Sequence, residues 1–179
     1  MKRWYVLGGP FVVLLAIGLV ALIRWSLSPA ALRRSCDRGR TAMDVGQCAE
    51  LAELYLAGRG VPKDEREALQ LFTKACDGGD AWGCGELGFF YERGRVVPVD
   101  YARALALFTK SCDATSMYGC NGLGELYRDG HGVAQDTARA LELFRRVCEE
   151  SESHVGRGMR TNGEEYGCSS YRALEAQPR

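Results

Sequence analysis

The 179-residue chain has two histidines, no excess of charge of either sign and no segment that reads as a β-strand. Its 23 lysines and arginines face 23 aspartates and glutamates. A nucleic-acid binder usually carries a basic excess to neutralise phosphate, so that class is set aside. Two histidines leave little for a His-rich metal site or for general-base chemistry near neutral pH. Phosphate cradles are missing too, since neither G-x-x-x-x-G-K-[ST] nor G-x-G-x-x-G follows a strand. Zinc ligands usually pair two to four residues apart, whereas Cys76 and Cys84, and again Cys112 and Cys120, are separated by seven residues. No metal and no cofactor are expected. A serine nucleophile of the S-x-x-K type is also lacking, because none of Ser26, Ser28, Ser35, Ser111, Ser116, Ser151, Ser153, Ser169 and Ser170 has a lysine three residues on. No catalytic residue can be nominated.

What is present begins with an export or membrane segment in residues 1–30. Lys2 and Arg3 precede an apolar stretch from Trp4 to Ile23, interrupted only by Gly8, Gly9 and Pro10, and Arg24 ends it. Twenty helical residues span about 30 Å, the thickness of a bilayer's hydrocarbon core. The stricter run from Phe11 to Ile23 also suits a cleavable signal, with Ser28 and Ala30 as the small residues before a cut. Arg24 and Trp25 read better as an interfacial border, which favours an uncleaved anchor. Arg33 and Arg34, in the Leu32-Arg33-Arg34-Ser35 run before Cys36, argue against a lipoprotein. Eight cysteines behind such a segment imply an oxidising compartment. Residues 31–179 are therefore expected outside the cytoplasm, anchored and facing the periplasm, or secreted if the segment is cut.

The cysteines and the core share one period. Cys48, Cys84 and Cys120 are 36 residues apart, as are Cys76, Cys112 and Cys148. Overlaying 48–83, 84–119 and 120–155 aligns Leu51/Leu87/Leu123, Tyr55/Tyr91/Tyr127, Gly58/Gly94/Gly130, Asp64/Asp100/Asp136, Ala68/Ala104/Ala140 and Phe72/Phe108/Phe144. Identity at fixed spacing marks a repeat array. Each copy reads as two helices. The first carries a stripe such as Leu51, Leu54 and Tyr55 and is stopped by Gly58; the second is capped by Asp64, with Glu67 completing a capping box in the first copy. Two departures stand out: Ala52 where the other copies have Gly88 and Gly124, and Arg95-Val96 where they have Arg59-Gly60 and His131-Gly132. The second is expected to reshape one loop.

Leu87-Gly88-x-x-Tyr91-x-x-Gly94, followed by Asp100, Ala104, Phe108 and Lys110-Ser111-Cys112, resembles the Sel1-like repeat family, a relative of tetratricopeptide repeats, and in particular its cysteine-rich, secreted bacterial branch. The likeness covers roughly residues 34–175. It implies an all-α solenoid of three helix-turn-helix repeats with half-repeat caps, the last a helix at about 166–175. It also implies a non-enzymatic interaction module, binding a protein segment or cell-envelope component. The alternative that the resemblance raises is a weak β-lactamase or penicillin-binding hydrolase.

By analogy with the tetratricopeptide groove, the first helices line a concave wall at Ala49, Glu53, Leu56 and Ala57, then Gly85, Phe89, Glu92 and Arg93, then Asn121, Glu125, Arg128 and Asp129. Trp82 and Tyr118 are candidate aromatic anchors, and Phe89 is notable because Glu53 and Glu125 are its counterparts. The competing reading is that Phe89 and Trp82 pack inside the stack.

Two disulfide patterns are locally reasonable, Cys48 with Cys76 within a repeat or Cys76 with Cys84 between repeats. The first strands Cys36 and Cys168 at opposite ends of the stack, far beyond the roughly 7 Å Cα limit. The second leaves no thiol over and pairs Cys36–Cys48, Cys76–Cys84, Cys112–Cys120 and Cys148–Cys168. It is the expected one.

Overall fold

The computed structural model describes residues 28–155 and 162–176, with side chains placed for 28–150 and 168–176. The apolar segment 4–23 lies outside the described residues. Among those described, no helix is long and apolar enough to cross a membrane.

The described residues form helices and no strand: α1 (Pro29–Arg38), α2 (Ala42–Ala57), α3 (Glu65–Asp77), α4 (Ala81–Arg93), α5 (Tyr101–Asp113), α6 (Met117–Asp129), α7 (Thr137–Val155) and α8 (Asn162–Glu175). The pairs α2/α3, α4/α5 and α6/α7 are the three repeats. Helix α1 caps one end by packing on α2, and α8 caps the other by packing on α7 and α6. The first helices also touch one another, α4 against both α2 and α6, which makes them one continuous inner layer. The terminal helix starts at Asn162, four residues ahead of the expected 166.

Local chemistry sets the helix boundaries. The Asp64 carboxylate accepts from the N–H groups of Arg66 and Glu67, Asp100 from Arg103 and Asp136 from Arg139, so every second helix has its acidic cap. Gly58, Gly94 and Gly130 end the first helices at φ 64°, 66° and 71°, where an L side chain is strained. The expected capping box in the first copy does not close. The Asp64 N–H donates to the Tyr55 carbonyl, and the Glu67 carboxylate takes the Arg33 guanidinium at 2.6 Å. An ion pair to the neighbouring helix has displaced a contact within the helix. Val96 is a second correction: it keeps the left-handed conformation of its glycine counterparts, with φ 52° beside 74° at Gly60 and 71° at Gly132. The loop is strained, at a cost of about 1–3 kcal/mol for a non-glycine residue.

Phe72, Phe108 and Phe144 are fully buried, one per repeat. Phe108 and Phe144 lie in slots made by missing side chains. A Cβ on Gly88 would sit 2.6 Å from the Phe108 ring, one on Gly122 2.5 Å from it, and one on Gly124 2.7 Å from Phe144. Phe108 is thus held between α4 and α6, across the boundary of two repeats. In the first copy Ala52 occupies the corresponding position and is itself fully buried.

The four disulfides are Cys36–Cys48, Cys76–Cys84, Cys112–Cys120 and Cys148–Cys168, with Cα separations of 4.8, 4.4, 4.5 and 4.5 Å. Cys76–Cys84 and Cys112–Cys120 join the end of one helix pair to the start of the next, and the other two tie the capping helices α1 and α8 to the stack. All lie on one edge of the solenoid, because there the second helices end and the first helices begin. The seven-residue loops between paired helices form the other edge. They interlock in order: Gly60 against Pro29, Arg95 ion-paired to Glu65 at 2.8 Å, and His131 stacked on Tyr101 at 4.4 Å.

Gly122→Ala should cost about 1–3 kcal/mol in thermal denaturation, the usual penalty for overfilling a packed core, because Phe108 is confined on both sides. Non-reducing peptide mapping should return the four pairs above. Replacing Cys112 and Cys120 together by alanine should cost roughly 2–3 kcal/mol, the loop-closure entropy of a nine-residue ring.

Candidate functional site

The inner wall is built by α2, α4 and α6 and closed at one end by α8. Helical register puts Glu86, Phe89 and Arg93 on one face of α4, three or four residues apart, with Glu92 beside them. The same register on α6 aligns Asn121, Glu125 and Arg128. Where α6 meets α8, an open cleft of about 450 Å³ is bounded by Arg128, Ser169, Ser170, Ala173 and Leu174. The α8 residues of this cleft were not anticipated. Only the tertiary position of the capping helix reveals them.

The charged candidates are brought together and influence one another. Burial first, then repulsion from Glu125, pushes the Glu92 carboxyl up to about 7, against the pull of Arg93 and Arg128. The Glu92 side chain is only 14% exposed. Glu86 is pushed to about 7 by burial and by Glu53, opposed by Arg93, the Trp82 indole N–H and Arg95. Glu125 is raised as well, chiefly by burial, although Arg128 and the Asn121 amide favour its charge. The Asn121 amide nitrogen donates to Glu125 at 3.1 Å while its carbonyl oxygen is buried with no hydrogen-bond partner. Arg128 spends much of its charge on a bidentate pair with Asp129, at 2.7 and 2.6 Å. The wall thus carries more buried carboxylate than its own cations satisfy. Glu86, absent from the expected set, was accessible in principle as the residue seven before Arg93.

Two of the aromatic candidates pack inside the stack, as the competing reading has it. The Phe89 ring meets Phe108 edge-on at 4.8 Å and carries the Arg93 guanidinium 4.6 Å from its centroid. Trp82 packs edge-on against Phe72 at 6.1 Å. Both are half-buried and tied to the core, whereas Tyr118 stays 36% exposed at the start of α6. Ala49 and Gly85 do not reach the wall surface at all: Ala49 is fully buried, and the position of Gly85 is covered by Ser111 and Tyr118. The Gly85 position faces Ser111 on α5 and Tyr118 and Gly119 on α6, because a helix deep in a stack buries more than one stripe.

Two of the serines considered as nucleophiles are committed to structure. Ser35 donates to the buried Asp44 at 2.6 Å and Ser111 donates to the Ala81 carbonyl at 2.6 Å. Among the described residues no group of three His, Cys, Asp or Glu side chains could hold a metal ion.

A pH dependence follows from the raised carboxyls. A native-state value near 7 against roughly 4.3 in the unfolded chain means that the folded protein binds the extra proton. Stability should fall as pH rises from about 4.5 to 7 and level off above. Glu92→Gln should raise the melting temperature at pH 8 more than at pH 5. Equal effects at the two pH values would contradict the assigned cause.

Similar proteins share this helical stack. A family model described as Sel1 repeat matches residues 48–80, 83–116 and 118–151. Among solved structures, a Sel1 repeat protein from Oxalobacter formigenes is 24% identical with a TM-score of 0.59, covering 83% of this chain and 97% of that one. The c5321 protective antigen of uropathogenic Escherichia coli, which displays an SLR fold, is 23% identical with a TM-score of 0.63, covering 85% of this chain. This chain spans about a third of the antigen, 34% of its length. Cysteine-rich protein B of Helicobacter pylori is 28% identical with a TM-score of 0.52, covering 72% of this chain and 95% of that one. A search of curated proteins finds no match. With three matched repeats on three observed helix pairs, the chain belongs to the Sel1 repeat family.

Proposed function

We propose that the chain is a non-enzymatic interaction module that holds an extended protein segment against its inner wall, outside the cytoplasm. The observation that carries this reading is the row of half-buried carboxylates, Glu86, Glu92 and Glu125, all raised above the usual carboxylate range by burial on adjoining helices. Buried carboxylates without full neutralisation favour a ligand that brings cations. The buried Asn121 carbonyl oxygen asks in addition for a hydrogen-bond donor. A segment bearing lysine or arginine supplies both, and its backbone N–H groups supply more donors. Four disulfides in so short a domain support an oxidising location.

The sign of the pH effect is defined. A cationic ligand prefers the ionised carboxylates, so affinity should rise from pH 5.5 to 8. Titration of the protein with lysine- and arginine-containing peptides, against acidic peptides of equal length, reads this directly. Glu86→Gln with Glu92→Gln should weaken cationic binding by about tenfold or more, on the scale of a lost close charge pair. A preference for acidic peptides, or affinity indifferent to both pH and the two substitutions, would sink the proposal. Chemical cross-linking in the native cell envelope, followed by capture, would identify the partner.

A further inference from the structure

The loop edge of the solenoid has a feature that the groove does not explain. Val96 is 44% exposed and Val99 50% exposed, three residues apart in one loop. Val96 takes the left-handed conformation that its counterparts satisfy with Gly60 and Gly132. The chain therefore presents a β-branched apolar side chain to solvent at a position where glycine would sit without strain. The partly buried Val61 and Val133 occupy the flanking loops, so valines run along the whole edge. Met43 and Tyr118, also exposed, stand apart at the starts of two different helices on the disulfide edge.

The polypeptide comes into the domain at this same edge. Pro29 lies against the loop of the first repeat, its Cγ 3.3 Å from where a Cβ on Gly60 would be. Five residues, 24–28, separate Ile23 from Pro29. Fully extended, that stretch reaches no more than about 20 Å. If residues 4–23 span a bilayer, the loop edge is held at the membrane surface by the length of its tether. Exposed cations accompany the valines: Lys63, 62% accessible and paired with Glu65 at 3.2 Å, Arg103, 65% accessible and paired with Asp100 at 3.1 Å, and Arg59 in the first loop. The carboxylates of Asp64 and Asp136 turn to helix N-termini, and that of Asp100 serves both its helix N-terminus and the Arg103 side chain.

We propose that this loop edge rests on the phospholipid bilayer that holds residues 4–23, with Val96 and Val99 sunk into the headgroup region. The inference rests on the anchor reading of the N-terminal segment and is independent of what occupies the groove. Such an orientation sets the disulfide edge away from the membrane and leaves the inner wall facing sideways, open to a partner in the envelope. Short apolar side chains flanked by cations are the composition of a shallow interfacial contact.

The test uses the full chain in phosphatidylethanolamine/phosphatidylglycerol nanodiscs containing a small fraction of lipid with a gadolinium chelate on its headgroup. Methyl relaxation enhancement should be several-fold larger at Val61, Val96, Val99 and Val133 than at Met43, Val45 and Val147 on the other edge. Val99→Asp should reduce the enhancement at Val61 and Val133 several-fold while leaving the melting temperature within a few degrees. Discs that carry the protein but show equal enhancement on both edges, or no response to Val99→Asp, overturn the proposal alone. A chain that stays out of the discs, with a mass lacking the N-terminal segment, overturns the anchor reading and this proposal with it. Cationic-peptide binding, measured in parallel, reports separately on the groove.

Discussion

Phe72, Phe108 and Phe144 recur every 36 residues, and each is completely withdrawn from water. A two-helix unit cannot bury such a ring by itself. Phe108 is enclosed only because α4 and α6, from successive repeats, both present a glycine to it. The rest of the solenoid depends on this contact. It sets how closely first helices approach one another, and so it makes them a continuous inner layer with a surface that can act as a wall. It also explains why Phe89 belongs partly to the core: its ring packs on Phe108 from the groove side, and Arg93 covers it.

The helical hairpin separates two jobs onto two edges. Where second helices end and first helices begin, adjacent chain segments come within about 4.5 Å at Cα, and disulfides close there. Where first helices end and second helices begin, longer loops interlock through Arg95 with Glu65 and His131 with Tyr101. Covalent stapling suits a stack this short, since each repeat has neighbours on only two sides and nothing else holds it. It is on the loop edge that Val96 keeps a strained backbone.

On the inner wall the balance of burial and charge is unfavourable for the isolated protein. Glu86, Glu92 and Glu125 are partly desolvated close to other acids, and Arg93 and Arg128 divide their charge among several neighbours. The proposed function uses this imbalance, since complementary charge across an interface selects among partners. The same strain lowers the stability of the free fold at neutral pH. In the proposed function, binding and stability are linked through the same protons.

The period of 36, the cap residues and the apolar stripes determine by themselves that the chain is an all-α repeat array, because helix geometry is local and reads directly from residue spacing. The disulfide pattern is also legible in the chain, since of the two locally reasonable patterns only the one between repeats uses every cysteine within the reach of a disulfide. Other properties were decided only in three dimensions. Glu67 abandons its own helix for Arg33, Ala49 and Gly85 vanish beneath their neighbours, and Phe89 turns partly into the core. Ser169 and Ser170 join Arg128 across an interval that no spacing in the sequence connects. Each of these depends on the distance between side chains of different helices. Such distances arise from packing, which the periodicity requires but does not specify residue by residue.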